Sequence, residues 1–326
     1  MPISIMRFNF VLPGCDPETL SEMYSAAIEM AAVADRNGFM AVSLEEHHGV
    51  EDGWSPAPLT TAGLILGHTK YIRVMIQALL VPLNDPLRVA EQVAVLDLAS
   101  GGRINVVAGL GYRPAEYEAA GVDWKTRGAI MDESLDAIVA AWSGEEFSYR
   151  GRTVRVTPTP KSPASAILFV GGSGRPAARR AARLGLPLLP AAHLPELQAY
   201  YQEQCVEHGT AGFVIMPPAE TRLTLLANDP DKAWADLGEH LLHEAKQYQS
   251  WQTPDIHSAV SSKATTVEEL RAEGIYRIMS PEEAIKWCND EGEFATMVLH
   301  PLCGGVPVDR GWETLRLYID KVLPAL

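Results

Sequence analysis

A chain of 326 residues, 47% hydrophobic and 21% charged, has the makeup of a folded protein with enough apolar side chain for a large core. Its formal charge of −14 lacks the basic footprint of a nucleic-acid binder, and no apolar run approaches the ~18 residues of a membrane span. The 4 cysteines, Cys15, Cys205, Cys288 and Cys303, form no C-x-x-C pair, which excludes a disulfide scaffold and the common zinc spacings. The N-terminal stretch has no secretory-signal pattern, so a cytoplasmic protein is expected.

Short runs rich in Val, Ile, Leu and Phe predict strands at residues 5–12, 40–45, 72–81, 103–108, 167–171, 186–189, 222–227 and 294–300. Between them apolar residues recur at helical spacing, as in Leu20, Met23, Tyr24, Ala27, Ile28 and Ala31. Asp16-Pro17, Asp85-Pro86, Asp229-Pro230 and Ser280-Pro281 mark helix starts, each a capping oxygen followed by a ring whose fixed φ suits the first turn. Ser280 and Glu283 form a capping box. The alternation predicts one α/β domain over residues 1–326, a parallel barrel of strand–helix units; an open doubly wound sheet gives the same alternation. Two stretches break the rhythm. Residues 147–150 and 153–156 flank Gly151 as a hairpin, and residues 249–280 form a long polar insertion between strands seven and eight, either a lid over a site or a plain excursion.

Barrel enzymes place their chemistry at the C-terminal ends of the strands. There Glu45-Glu46-His47-His48-Gly49 closes strand two, and alternation sends only one of the two histidines to the barrel mouth. A histidine at that place is a natural proton donor or acceptor; paired surface histidines are the plainer reading. No H-x-H pair occurs, so no metal is expected. Val81-Pro82 to Asp85-Pro86 makes a rigid turn after strand three. Gly109-Leu110-Gly111-Tyr112-Arg113 follows strand four, where glycine lets a ligand approach the backbone and Arg113 can meet an anion. Gly172-Ser173-Gly174-Arg175 opens a helix after strand five, and its backbone N–H groups, hydroxyl and guanidinium suit a phosphate. The same stretch fits G-x-G-x-x-A, but the next strand ends at Leu189-Pro190 without the acid that a dinucleotide ribose needs. His300, after strand eight, either lines the same mouth or caps its strand. Cys303 reads as a small buried residue, and no nucleophile elbow supports hydrolysis.

In order and spacing, several short pieces of this chain resemble the bacterial luciferase-like monooxygenase family. They are Met6-Arg7-Phe8, Asn37-Gly38-Phe39, the Glu45–Gly49 stretch, Leu96 to Arg103, Gly109-Leu110-Gly111, Gly121-Val122-Asp123 leading to Arg127, Gly171 to Gly174, and Val322-Leu323-Pro324. The resemblance implies a (β/α)8 TIM barrel with an insertion near strand seven, often a homodimer. It implies reduced FMN, or the 5-deazaflavin coenzyme F420, lying across the strand ends. His47 matches the family's catalytic histidine, and Gly172, Ser173, Gly174 and Arg175 its phosphate loop. A non-proline cis peptide on strand three falls near Gln77-Ala78, although Gln77 departs from the small residue common there.

The function expected is therefore a monooxygenase using reduced FMN and O2 on a small organic substrate, fed by a separate flavin reductase. The cofactor would be bound by Gln77, Ala78, Gly109, Gly111, Arg113 and the 172–175 loop, with His47 moving a proton and His48 and His300 beside the substrate. Residues 15–19, 49–58 and 249–280, with Trp54, Trp251 and Trp287, are the candidate substrate walls. Two alternatives stand beside it: F420-dependent hydride transfer on the same loops, and a non-catalytic flavin-binding barrel. Neither nucleic acid nor membrane is an expected partner; a second copy of the chain is.

Overall fold

Every predicted run forms a strand, trimmed to the residues that share ladder hydrogen bonds. The strands are β1 Ile3–Phe8, β2 Ala41–Leu44, β3 Arg73–Leu80, β4 Ile104–Gly109, β5 Phe147–Tyr149, β6 Arg152–Val154, β7 Leu168–Gly171, β8 Leu188–Leu189, β9 Leu223–Leu226, β10 Tyr276–Met279 and β11 Thr296–Leu299. The computed structural model describes residues 2–220, 222–252, 260 and 262–326. β5 and β6 are the hairpin expected around Gly151, with Phe147 opposite Val154. The other strands join one parallel sheet in the order β10-β9-β11-β1-β2-β3-β4-β7-β8. The fold is that of a TIM barrel, with β10 in the sheet beside β9, and the C-terminal ends of β1, β2, β3, β4, β7 and β8 surround one cavity.

The insertion is more ordered than the polar reading of 249–280 allows. It holds the helix Val267–Glu273, started by a Thr266/Glu269 capping box, and β10, which lies in register against β9 with Tyr276 beside Leu223. Tyr276 and Ile278 are buried in an apolar cluster with Leu223, Leu225 and Leu241, while Arg277 stacks over Trp287 at 4.1 Å. An arginine in mid-strand breaks the apolar run, which is why residues 276–279 do not read as a strand by hydrophobicity alone. Of this candidate lid segment Val260 lines the cavity, and residues 253–259 and 261 lie outside the described residues.

The expected caps hold each helix in place. The carboxylates of Asp16, Asp85 and Asp229 and the hydroxyl of Ser280 each accept a first-turn N–H, with proline at the next position. At the N-terminal end of the barrel, Arg103 donates to the carbonyls of Leu66, Thr69, Ile72 and Ser100, so the Gly101-Gly102-Arg103 turn is a structural staple remote from the strand C-termini. Among the described residues no helix is long and apolar enough to cross a membrane.

Candidate active site

The C-terminal strand ends enclose a cavity of about 960 Å³, at the upper end of the size range of small-molecule and cofactor sites. β1 contributes Arg7, β2 is followed by Glu45, Glu46 and His47, and β3 contributes Gln77, Ala78 and Leu80. β4 contributes Gly109 and is followed by Gly111 and Tyr112; β7 leads into Gly172, Ser173 and Gly174. The glycine loop and His47 thus line one space, as do Gln77, Ala78, Gly109 and Gly111. The Gln77–Ala78 peptide is cis, at the position the family resemblance implies. Gly109 packs against it so closely that a Cβ there would stand 2.5 Å from the Ala78 Cβ. A glycine is required at that point of the wall.

His47 is fixed at both ring nitrogens. Nδ1 lies 2.9 Å from Glu116 Oε1, and Nε2 lies 3.3 Å from the Tyr112 hydroxyl. Edge and tilted contacts from Trp54 at 5.4 Å and Trp251 at 4.8 Å box in the ring. Burial works to raise the Glu116 pKa. The hydrogen bond and charge of His47, the His48 amide and Arg113 outweigh it and hold the carboxyl below its usual value. Burial, reinforced by the charges of Glu45 and Glu116, pushes the Tyr112 phenol far above its usual value. Tyr112 therefore stays protonated; its hydroxyl stands at Nε2 while Nδ1 faces the Glu116 carboxylate.

A second cluster sits beside the first. Arg7 and Tyr248 both donate to Glu45, Arg7 Nη2 also donates to the Tyr248 hydroxyl at 2.7 Å, and Trp54 Nε1 donates to Glu45 at 3.3 Å. Tyr248 reaches the cavity from the helix Pro230–Ser250, anchored one turn earlier by Glu244. Glu244 Oε2 takes bonds from His300 Nε2 at 3.0 Å, Cys303 Sγ at 3.2 Å and the Gly304 amide at 3.1 Å. Burial opposes its charge, but His300 and Arg7 prevail and keep it ionised. Gly304, at φ +58°, passes so near this helix that a Cβ would meet the His240 carbonyl at 1.9 Å. Glu244, His300 and Cys303 are the only group of potential metal ligands among the described residues, and their polar atoms already bond one another.

Four residues expected at the site stand elsewhere. His300 is 1% exposed and spans from the Arg7 carbonyl to Glu244, so it is an internal tie and does not line the cavity. The helix Pro230–Ser250 covers the end of its strand. His48 also lies outside the lining; its Nε2 pairs with Glu46 at 2.9 Å. Arg113 stacks 4.2 Å from Trp251 and binds Glu116 and the His48 carbonyl, a support one layer behind the cavity. Arg175 is exposed, its guanidinium 4.8 Å from the Tyr200 ring. Residues 15–19 and 49–58 do not reach the lining, Trp54 and Trp251 pack on His47 behind it, and Trp287 packs under Arg277.

Arg127 is a site residue that the motif reading passed over. It lines the cavity, stacks 3.7 Å from Trp124 and donates to the Trp124 carbonyl at 2.7 Å. Its buried Nε has no hydrogen-bond partner among the described residues. A phosphorylated tricyclic cofactor fits these features: a glycine wall, a glycine loop at a helix start, and a cation with an unsatisfied buried donor.

The sequence pattern described as luciferase-like monooxygenase matches residues 6–291. A curated relative, the oxygenase component of flavin-dependent trigonelline monooxygenase from Acinetobacter baylyi, is 27% identical over 150 residues, covering 45% of this chain and 41% of the relative. The chain matches less than half the length of the first curated relatives. Among solved structures, a monooxygenase of Streptomyces bottropensis superposes with TM-score 0.73 at 23% identity, over 99% of both chains. An F420-dependent secondary alcohol dehydrogenase superposes with TM-score 0.65 at 18% identity, over 100% of this chain and 99% of the other. These likenesses show the shared fold.

Proposed function

Because the chain belongs to the luciferase-like monooxygenase family, we propose that it is the oxygenase half of a two-component system, using reduced FMN and O2 on a small organic substrate. The observation that carries this reading is the buried Glu116–His47 pair opening onto the same cavity as the Gly172–Gly174 loop. Reduced FMN, when bound, supplies the electrons that activate oxygen. The protein supplies everything else. The loop amides and Arg127 hold the phosphate. Gly109 and the Gln77–Ala78 segment, which line the same cavity, would face the ring system. The aromatic box of Trp54, Trp251, Tyr112 and Tyr248 keeps water from His47, which takes up or returns a proton against the Glu116 carboxylate.

The G-x-G-x-x-A stretch lacks the acid that a nicotinamide ribose needs and one relative is named an oxygenase component, so the reduced flavin comes from a separate reductase. Leu64, Val95 and Leu98 lie exposed on the neighbouring helices Pro58–His68 and Pro86–Ser100, and this apolar face suits a second copy of the chain. Mass measurement in solution tests that pairing.

The cofactor experiment is a pair of anaerobic titrations with reduced FMN and reduced F420, followed by admission of oxygen. Tight binding of FMN and rapid oxygen consumption are expected. Binding of F420 alone, with no oxygen uptake, replaces oxygenation by hydride transfer on the same fold. Bound FMN whose reactivity is unchanged in His47→Ala marks a carrier in place of an enzyme.

A further inference from the structure

We propose that Tyr112 is a catalytic residue: its hydroxyl exchanges the proton with the reacting oxygen in the cavity, and His47 with Glu116 is the relay behind it. The inference rests on the oxygenase reading of the cavity. Its basis is that neither nitrogen of His47 is open. Nδ1 is taken by Glu116 at 2.9 Å, and Nε2 is taken by the Tyr112 oxygen at 3.3 Å. The imidazole is 7% exposed, and its sides are closed by Trp54, Trp251 and Tyr248. Tyr112 lines the cavity together with His47, and its oxygen is the group that occupies Nε2 on that side.

The hydrogen bonds make the chain of three directional. In the relay proposed, Nδ1 keeps its hydrogen bond to Glu116 and Nε2 takes the proton that the Tyr112 hydroxyl passes on. An acidic O–H in the cavity breaks and a new O–H forms on the Tyr112 oxygen. In the same step the phenol's own O–H breaks and an N–H forms at Nε2. The imidazolium so made keeps its Nδ1–H on the Glu116 carboxylate, and no electron moves. Run in reverse, the sequence delivers a proton to the reacting oxygen. In either direction the positive charge appears beside Glu116, inside the aromatic box and away from the reacting atoms. The arrangement has the logic of an acid–histidine–hydroxyl triad, with a phenol passing protons where a serine would attack.

Tyr112→Phe keeps the aromatic ring 5.5 Å from His47 and deletes only the oxygen. In the cofactor-free protein labelled with ¹⁵N-histidine, the Nε2 resonance of His47 moves to the value of an unbonded ring nitrogen, while Nδ1 remains the protonated site. In the second arm, protein premixed with reduced FMN meets O2 in H2O/D2O mixtures, and the return of oxidised FMN is followed. The wild type gives a rate that bows with deuterium fraction, because two protons move together. Tyr112→Phe slows by ~10²-fold, at the low end of general acid–base effects, becomes linear in deuterium, and binds FMN as before. An unchanged rate and isotope profile in Tyr112→Phe, with FMN bound, overturns the proposal and leaves the oxygenase reading standing. An Nε2 resonance that ignores the substitution also overturns it. Failure of the wild type to bind reduced FMN overturns the oxygenase reading and the relay's catalytic role with it, while the resonance arm still reports whether the hydrogen bond exists.

Discussion

The two rims of the cavity are built in opposite ways. On the His47 rim the key side chains are buried and the ring is bonded at both nitrogens, with Arg113 and the His48 amide backing Glu116. On the Gly172–Arg175 rim Gly172 has φ +135° and Arg175 is exposed, and Arg127, which lines the same cavity, keeps a buried donor without a partner among the described residues. A group that moves protons must have its protonation state and geometry set before substrate arrives, so its hydrogen bonds are closed within the protein. A group that receives an anion must keep donors unspent until the anion comes. Rate should therefore respond to one rim and affinity to the other.

The sharpest test of that division is His47→Gln. Turnover falls by ~10²–10⁴-fold, the usual range for loss of a general acid–base group, and FMN affinity measured by fluorescence quenching stays at the wild-type value. A variant that loses FMN instead breaks the comparison. Arg127→Ala is its counterpart. Removing a charged hydrogen-bond donor of ~1.5–3 kcal/mol weakens FMN binding by roughly 10- to 100-fold. Riboflavin, which lacks the phosphate, binds as it does to the wild type. Equal losses for both ligands would remove Arg127 from the phosphate site.

Between the rims stands Gly109, where the wall is tightest. Gly109→Ala forces a Cβ to within 2.5 Å of Ala78, and overpacking of this kind costs about 1–3 kcal/mol. A lowered midpoint in urea, with unchanged slope, is the expected signature. An unaffected midpoint means that the wall yields and the glycine serves only ligand approach.

How far the chain discloses itself follows the same divide. β4 and β9 are legible because strands buried on both faces are mostly apolar, and the capped helix starts are legible because Asp-Pro and Ser-Pro act within one turn. His47 and the glycine loop are legible for the same reason: each is a local pattern at a strand end. Glu116 is not, since it stands 69 positions from His47 and nothing local distinguishes it from other surface acids. Arg7 joins Glu45 across 38 positions and Tyr248 across 241. Residues that act on a ligand directly can advertise their chemistry in a motif; residues that act by closing another's hydrogen bonds are chosen by the packing of distant elements. His300 shows the converse. Its place after strand eight points to the barrel mouth, but Glu244, 56 positions away, claims its ring.

The smallest effect belongs to the outward face of the His47 rim. The hydrogen bond from Glu46 raises the pKa of the half-exposed His48 above its ordinary 6.5, against the opposing effect of burial. A histidine whose folded pKa is raised binds its proton more tightly in the folded state. The ion pair's stabilisation is therefore complete below 6.5 and fades as pH rises through the raised value. Glu46 is buried and His48 partly exposed, so solvent screening on the histidine side holds its size to ~1 kcal/mol. Urea midpoints of the wild type and His48→Gln should differ in acid and converge in base. Turnover of the two proteins should match throughout, because the His48 ring is not part of the cavity lining. A gap that widens with rising pH would mean that burial governs this histidine, with its charged form disfavoured on folding. The outward face would then be as closed as the inward one.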